Sequence, residues 1–186
     1  MKVYVVDNGG QWTHREWRVL RYLDVDTKII PNTTPFEELD VDGLVLSGGA
    51  GSTVGDSVPG KIDDYLEKAD FPILGICFGH HYLSLHFGGK TGVAENPEFG
   101  RMEIVVDEED ELFKELPKTF SAWLSHNDEV KELGDDFIVL AHSPNCKVEA
   151  IKYQKKPFYG VQFHPEVEHT EHGYDIFRNF LDLCKK

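Results

Sequence analysis

Hydrophobic residues in the first half of the chain fall into short, dense runs that are separated by longer amphipathic segments. Four runs are typical of buried strands, and they cover residues 2–6, 27–31, 43–47 and 73–76. Helical spacing of apolar positions follows in residues 11–23, 61–69 and 81–87. This alternation predicts a parallel sheet with helices on both faces. Ligands of such sheets bind at the carboxyl ends of the strands.

From residue 91 onward the pattern changes to runs that are separated by proline, glycine and acidic turns. Five of them predict strands, at residues 102–106, 120–123, 137–141, 148–153 and 158–163. We expect these strands to form an antiparallel region that is appended to the parallel sheet. An amphipathic helix at residues 174–184 closes the chain. No linker or repeat interrupts the pattern, so residues 1–186 are predicted to form a single α/β domain.

Composition excludes several classes of protein. The formal net charge of −14, from 33 acidic and 19 basic residues, argues against nucleic-acid and anionic membrane partners. No apolar run approaches the roughly 18 residues of a membrane span. No signal-peptide pattern opens the chain. The three cysteines are widely spaced and odd in number, so a reduced, cytoplasmic protein without disulfides is expected.

The strand at residues 73–76 leads into a motif that indicates chemistry, Gly75-Ile76-Cys77-Phe78-Gly79. This is the cysteine form of the G-x-S-x-G nucleophile elbow, a sharp turn from strand to helix that glycine makes sterically feasible. It would place the Cys77 thiol at a helix N-terminus, where the helix dipole favours a thiolate. The alternative is an inert cysteine that ends a core strand.

A second motif, His164-Pro165-Glu166, offers the remaining parts of a catalytic triad. Pro165 favours an extended backbone at His164, and residues two apart in an extended run share a face. The Glu166 carboxylate would then orient the imidazole and stabilise its charged form. The plainer alternative is a core histidine beside an exposed glutamate.

Both motifs, together with Ser47-Gly48-Gly49, resemble the three signatures of class I (triad) glutamine amidotransferases, and they occur in that family's order. The similarity covers essentially the whole chain and implies a mostly parallel, flavodoxin-like twisted sheet flanked by helices. It implies that Cys77 attacks the side-chain amide of L-glutamine, with His164 as base and acid. Glu166 would orient His164, and no cofactor or metal would be held by this chain.

The resemblance also implies roles for residues around the triad. The oxyanion hole would consist of the backbone N–H groups of Gly49 and Phe78. Substrate contacts would come from Gly48, His81, Ser125 and His126. Partner contact or signalling would come from Asp128, His169 and Thr170. His81 departs from the family pattern, which usually has glutamine four residues after the nucleophile.

Further segments resemble the amidotransferase part of GMP synthases, namely residues 6–11, 98–100, 125–130 and 164–170. The chain stops after this part and has no SGG-x-DS pyrophosphatase loop. It is therefore similar to the free-standing glutaminase subunit of two-subunit, archaeal-type enzymes. The resemblance implies a separate ATP-pyrophosphatase partner, the other subunit of such enzymes, which binds ATP and Mg²⁺, adenylates XMP and accepts the ammonia.

Three other functions stay open on sequence alone: an amidotransferase subunit for another acceptor, a cysteine hydrolase of the DJ-1/peptidase I kind, and a non-catalytic binding subunit. A nucleotide-binding P-loop is disfavoured. Residues 55–62 nearly match it, but Ile62 stands where the Mg²⁺-binding hydroxyl would be.

Overall fold

The computed structural model describes residues 1–52 and 60–185, so most of the P-loop-like segment lies outside the described residues. The described strands are β1 (Val3–Asp7), β2 (Ile29–Pro31), β3 (Gly43–Leu46), β4 (Ile73–Ile76), β5 (Lys90–Val106), β6 (Thr119–Glu132), β7 (Phe137–His142), β8 (Ala150–Tyr153) and β9 (Phe158–Val161). The helices are α1 (Thr13–Tyr22), α2 (Ile62–Lys68), α3 (Phe78–His86) and α4 (Gly173–Leu183). All nine strands join one sheet in the order β2-β1-β3-β4-β9-β8-β7-β5-β6.

The first five strands of that order are parallel and form the predicted parallel half. Their order, β2-β1-β3-β4-β9, is the flavodoxin-like one. Strands β3, β4 and β9 are buried along their whole length, as expected where helices cover both faces of a sheet. Helices α1 and α4 pack on one face, and α2 and α3 pack on the other. The prediction of a parallel sheet between two helical layers is therefore confirmed.

The other four strands form the predicted antiparallel half, which is dominated by the long β5–β6 hairpin. One prediction for this half is wrong. The sequence pattern assigns residues 158–163 to the antiparallel region, but β9 pairs in parallel with β4 and antiparallel with β8. The sequence of a short apolar run does not indicate which strand it pairs with. Strand β9 joins the two halves of the sheet.

The ends of several elements also differ from the sequence prediction. Strands β5 and β6 extend well beyond the apolar runs at residues 102–106 and 120–123. The pattern of apolar residues does not predict their outer parts, because these are polar and partly exposed. Helix α3 begins at Phe78, directly after Cys77, and not at His81. Within residues 1–52 and 60–185, no helix is long and apolar enough to cross a membrane.

Candidate active site

A pocket of about 490 Å³ opens at the carboxyl ends of the parallel strands, where the strand order predicts a ligand site. The ends of β1, β3 and β4 form one wall, and the β5–β6 hairpin forms the other. The residues that line it are Gly9–Trp12, Glu16, Gly48–Ser52, Cys77, Phe78, His81, Phe99, Ser125–Asp128 and His164. The pocket thus brings together nine predicted site residues: Cys77, His164, Gly48, Gly49, Phe78, His81, Ser125, His126 and Asp128.

Cys77 has the backbone geometry of a nucleophile elbow. Its φ of 50° and ψ of −100° are strained for a residue with a side chain, and such strain is typical of active sites. The Cys77 N–H donates to the Val161 carbonyl of β9 at 2.8 Å, and α3 starts at the next residue. A β-carbon on Gly75 would lie 2.5 Å from the Gly79 carbonyl oxygen, so the turn requires glycine there. The predicted elbow is therefore present.

The imidazole of His164 and the carboxylate of Glu166 are both buried, and Nδ1 lies 2.6 Å from Oε1. Burial by itself would lower the pKa of His164. The Glu166 carboxylate and the Cys77 sulfur outweigh it and raise that pKa to about 10. Nε2 has no oxygen or nitrogen partner in the described part of the chain and interacts with the Cys77 sulfur. The side chains predicted as nucleophile, base and orienting acid therefore lie together, and their catalytic roles stay a prediction.

The local backbone that achieves this differs from the expectation. Residues 165 and 166 form a turn, not an extended run, and the Val167 N–H donates back to the His164 carbonyl at 3.3 Å. Proline constrains the backbone conformation of the residue before it, but proline itself is common in turns. Thr170 reinforces the turn, because its hydroxyl donates to the His164 carbonyl at 2.7 Å. The predicted His164–Glu166 contact is thus present, but the conformation that produces it is not the predicted one.

Gly49 and Phe78 lie side by side next to the nucleophile. A β-carbon on Gly49 would lie 2.9 Å from Cγ of Phe78 and 3.0 Å from the Asn8 carbonyl oxygen, so only glycine fits. Phe78 is the first residue of α3, where a backbone N–H has no acceptor within the helix. Two hydrogen bonds between Asn8 and Ser47 hold the loop that carries Gly49. This arrangement suits two amide donors beside Cys77, and the oxyanion hole stays a prediction.

His81 is buried and is linked to Cys77 through Gln162. The Gln162 oxygen accepts from Nε2 of His81 at 2.5 Å, and the Gln162 amide group donates to the Cys77 sulfur at 3.6 Å. Burial lowers the pKa of His81 to about 4, so the ring is neutral and carries its hydrogen on Nε2. Sequence analysis missed Gln162, because no local pattern marks an amide whose two partners come from another strand and helix.

The hairpin wall holds Ser125, His126 and Asp128. His126 is buried, with Nδ1 at 2.8 Å from the Asp128 carbonyl and Nε2 at 2.9 Å from Glu98. The Asp128 carboxylate accepts a hydrogen bond from Ser52 across the pocket at 2.5 Å. These contacts tie the hairpin to the loop after β3.

His169 and Thr170 do not line the pocket. His169 is exposed, its ring lies 5.2 Å from that of Trp123, and Nδ1 is 3.4 Å from the Arg101 guanidinium. Thr170 is buried, and its side chain bonds to the His164 carbonyl and to the Trp123 N–H. Of the residues predicted for partner contact, Asp128 and His169 have exposed surface and Thr170 has very little.

Glu16 is a second residue that sequence analysis missed. It lies on the buried face of α1, is 1% exposed and lines the pocket. One carboxyl oxygen accepts from the Gly48 N–H at 3.4 Å, and the other has no partner within residues 1–52 and 60–185. Burial and the nearby Glu166 raise the pKa of Glu16 well above its usual value. Its position on the apolar stripe with Val19 and Leu20 was the available signal.

A family model described as "Glutamine amidotransferase class-I" matches residues 4–184. The chain belongs to the class-I glutamine amidotransferase family. Its curated relatives include one subunit of the glutamine-hydrolysing GMP synthase of Thermoplasma acidophilum, 50% identical over 99% of this chain and 93% of the relative. The protein of the same name from Thermococcus kodakarensis is 49% identical over 98% of both chains.

A solved structure supports the same family at the level of the fold. It is a T. acidophilum protein described as a candidate GMP synthase subunit, 48% identical, with a TM-score of 0.92 over 100% of this chain and 94% of that one. Membership of the amidotransferase family also decides between two of the sequence-based hypotheses. It supports the hypothesis of a glutamine amidotransferase over that of a hydrolase of the DJ-1/peptidase I kind.

Proposed function

We propose that this amidotransferase is the glutaminase subunit of a two-subunit GMP synthase and passes ammonia to a separate synthetase subunit. One observation carries the glutaminase part: a strained Cys77 elbow beside a His164 imidazole that Glu166 keeps protonated. The relatives named as GMP synthase subunits, nearly half identical over almost the full chain, support the choice of acceptor.

The reaction begins with the carboxamide of L-glutamine in the pocket. The Cys77 thiolate attacks the amide carbon, and the carbonyl oxygen becomes an oxyanion that the N–H groups of Gly49 and Phe78 bind. The His164 imidazolium gives its proton to the amide nitrogen as the carbon–nitrogen bond breaks. Ammonia leaves, and a glutamyl thioester remains on Cys77.

The second half-reaction regenerates the enzyme. His164, now neutral, removes a proton from water as the water oxygen attacks the thioester carbon. The second oxyanion occupies the same two N–H groups, and its collapse expels the Cys77 thiolate and releases glutamate. Glu166 holds the imidazole ring in one orientation through both steps and balances its charge.

The ammonia would pass to an ATP-pyrophosphatase subunit that uses ATP and Mg²⁺ to adenylate XMP. The face of the pocket that includes Asp128 and Phe99 suits that partner, because the Phe99 side chain is exposed at the pocket rim. His169 lies on the adjoining surface. We propose that these residues report partner docking to the glutaminase site, and that the complex works in the cytoplasm.

Cys77→Ala tests this proposal in a mixture with the synthetase subunit, ATP, Mg²⁺ and XMP. GMP formation from glutamine should be lost, and GMP formation from added ammonium salt should persist at the wild-type rate. Cys146→Ala is the matched control, because Cys146 is a buried free thiol that does not line the pocket. Glutamine-dependent synthesis by Cys77→Ala would refute the triad, and failure of the wild-type mixture to aminate XMP would refute the acceptor.

A further inference from the structure

Three ionisable side chains meet inside the antiparallel half, behind the hairpin wall of the pocket. They are Glu98 of β5, His126 of β6 and Glu149, which directly precedes β8. The two glutamates are 0% exposed and His126 is 4% exposed. One oxygen or nitrogen from each residue lies within 4.8 Å of the other two. None of the three belongs to the triad, although His126 also lines the pocket.

The hydrogen bonds around His126 fix which of its nitrogens carries hydrogen. Nδ1 lies 2.8 Å from the Asp128 carbonyl oxygen, which can only accept, so Nδ1 is the donor. Nε2 therefore directs its lone pair at the cluster when the ring is neutral, 2.9 Å from Glu98 Oε2. The other Glu98 oxygen accepts from the Ser143 hydroxyl at 2.6 Å. Outer hydrogen bonds of this kind orient histidine and carboxylate ligands in metal sites.

Glu149 is the unusual member of the cluster. The side chain is completely buried and directed at Glu98. The Ser143 hydroxyl and the Cys146 thiol lie near it, but neither makes a well-formed hydrogen bond to its carboxyl oxygens. Neither Glu98 nor Glu149 forms an ion pair with a lysine or arginine in the described part of the chain. Two buried carboxylates in contact need a positive species between them, which is either a proton or a cation.

We propose that Glu98, His126 and Glu149 bind a divalent transition cation, with Zn²⁺ as the best match. One imidazole nitrogen and two carboxylate oxygens are a ligand set that Zn²⁺ accepts, whereas Mg²⁺ and Ca²⁺ favour oxygen ligands alone. A single shared proton can join only two of the three groups. A cation can engage both carboxylates and the Nε2 lone pair together.

The cation would have a structural role. It would join β5, β6 and the segment before β8, and it would hold His126 against the carbonyl of Asp128 on the pocket wall. The test of this inference does not depend on the proposed function, because metal binding is measured without the glutaminase reaction and the three ligands lie outside the triad.

The site can be tested by metal binding in the full-length Cys77→Ala protein, which removes the catalytic thiolate as a competing zinc ligand. After chelation and dialysis, titration with Zn²⁺ should saturate at about one ion per chain, the stoichiometry of a single three-ligand site. Titration with Co²⁺ should give a visible absorption band of the same stoichiometry. Zn²⁺ should also raise Tm, because an ion that binds only the folded state stabilises it.

Glu149→Gln in the same background should abolish the Co²⁺ band and the Zn²⁺-dependent rise in Tm. Glu132→Gln is the matched control on the same hairpin, because the Glu132 carboxylate is exposed and pairs with Lys90. Absence of saturable binding by the Cys77→Ala protein would overturn the proposal, whether or not Glu149→Gln folds. A Co²⁺ band and a Zn²⁺-dependent rise in Tm that persist unchanged in Glu149→Gln would likewise overturn it.

Discussion

The parallel and antiparallel halves of the sheet build the pocket by different means. In the parallel half, the atoms that we propose to react are positioned by backbone geometry: the strained turn at Cys77, the bare α-carbon of Gly49 and the turn after His164. In the antiparallel half, the wall is held by hydrogen bonds between side chains and their neighbours, as in Glu98, His126 and Ser143. Changes in the first half should therefore affect catalysis, and changes in the second should affect how the wall is held.

The largest effect is expected for Glu166→Gln, which removes the charge that the His164 imidazolium faces. Amide replacement of the orienting acid of a triad costs on the order of 10⁴ in kcat, and we expect a loss of roughly 10³–10⁴ in glutaminase activity. NMR titration of His164 should show its pKa falling from the wild-type value of about 10. A variant that keeps wild-type activity would mean that the turn alone orients the ring.

The same pair makes a prediction about stability and pH. A histidine whose pKa rises on folding stabilises the folded state fully below its unfolded pKa, near 6.5. That stabilisation is lost as the pH rises through the folded value of about 10. The wild-type Tm should therefore decline over this range more steeply than the Tm of Glu166→Gln, as thermal melts across the range would show.

The next largest effect is expected for Gly49→Ala, which separates backbone geometry from side-chain chemistry. The new methyl group would lie 2.9 Å from the Phe78 ring, so the loop must shift and the Gly49 N–H must move with it. Loss of one oxyanion donor costs about 10²–10³ in kcat. Gly51→Ala is the matched control, because its β-carbon would meet Phe78 at an ordinary 4.0 Å. Equal kcat values for the two variants would remove Gly49 from the oxyanion hole.

Glu16→Gln tests the exception in the parallel half, a buried carboxyl group that lies in the pocket. Its pKa is raised by folding, so its contribution to stability is greatest below an unfolded pKa near 4.5 and declines as the pH rises. Glutamine has no charge to bury and can still accept from the Gly48 N–H. The Tm of the variant should gain on that of the wild type as the pH rises from 4.5. A constant difference would show that folding does not raise the pKa of Glu16.

The two halves also differ in how much of them the sequence predicts. Strand β4, the Cys77 elbow and the His164–Glu166 pair were predicted because each is encoded within a few consecutive residues. The parallel partner of β9 was not, since pairing depends on strands distant in the chain. Gln162 and Glu149 were missed for the same reason: their roles arise from neighbours that only the folded sheet brings together. Glu16 was within reach, because a charged residue on the apolar stripe of α1 is a local anomaly.

The smallest effect is expected for His81→Gln, which tests the link between the triad and its surroundings. The glutamine that the family usually has at this position can also donate to the Gln162 oxygen, so Gln162 should keep its contact with the Cys77 sulfur. Glutaminase kcat should change only a few-fold, within the roughly 1 kcal/mol that one neutral hydrogen bond contributes.

His81→Leu sharpens this comparison, because it removes the donor and releases Gln162 to rotate. Its kcat should fall below that of His81→Gln, and the pH profiles should show why. With a pKa of about 4, the wild-type His81 ring is neutral throughout the neutral range, so the profiles of wild type and His81→Gln should coincide there. An inflection near pH 6.5 that disappears in His81→Gln would show instead that His81 titrates during catalysis.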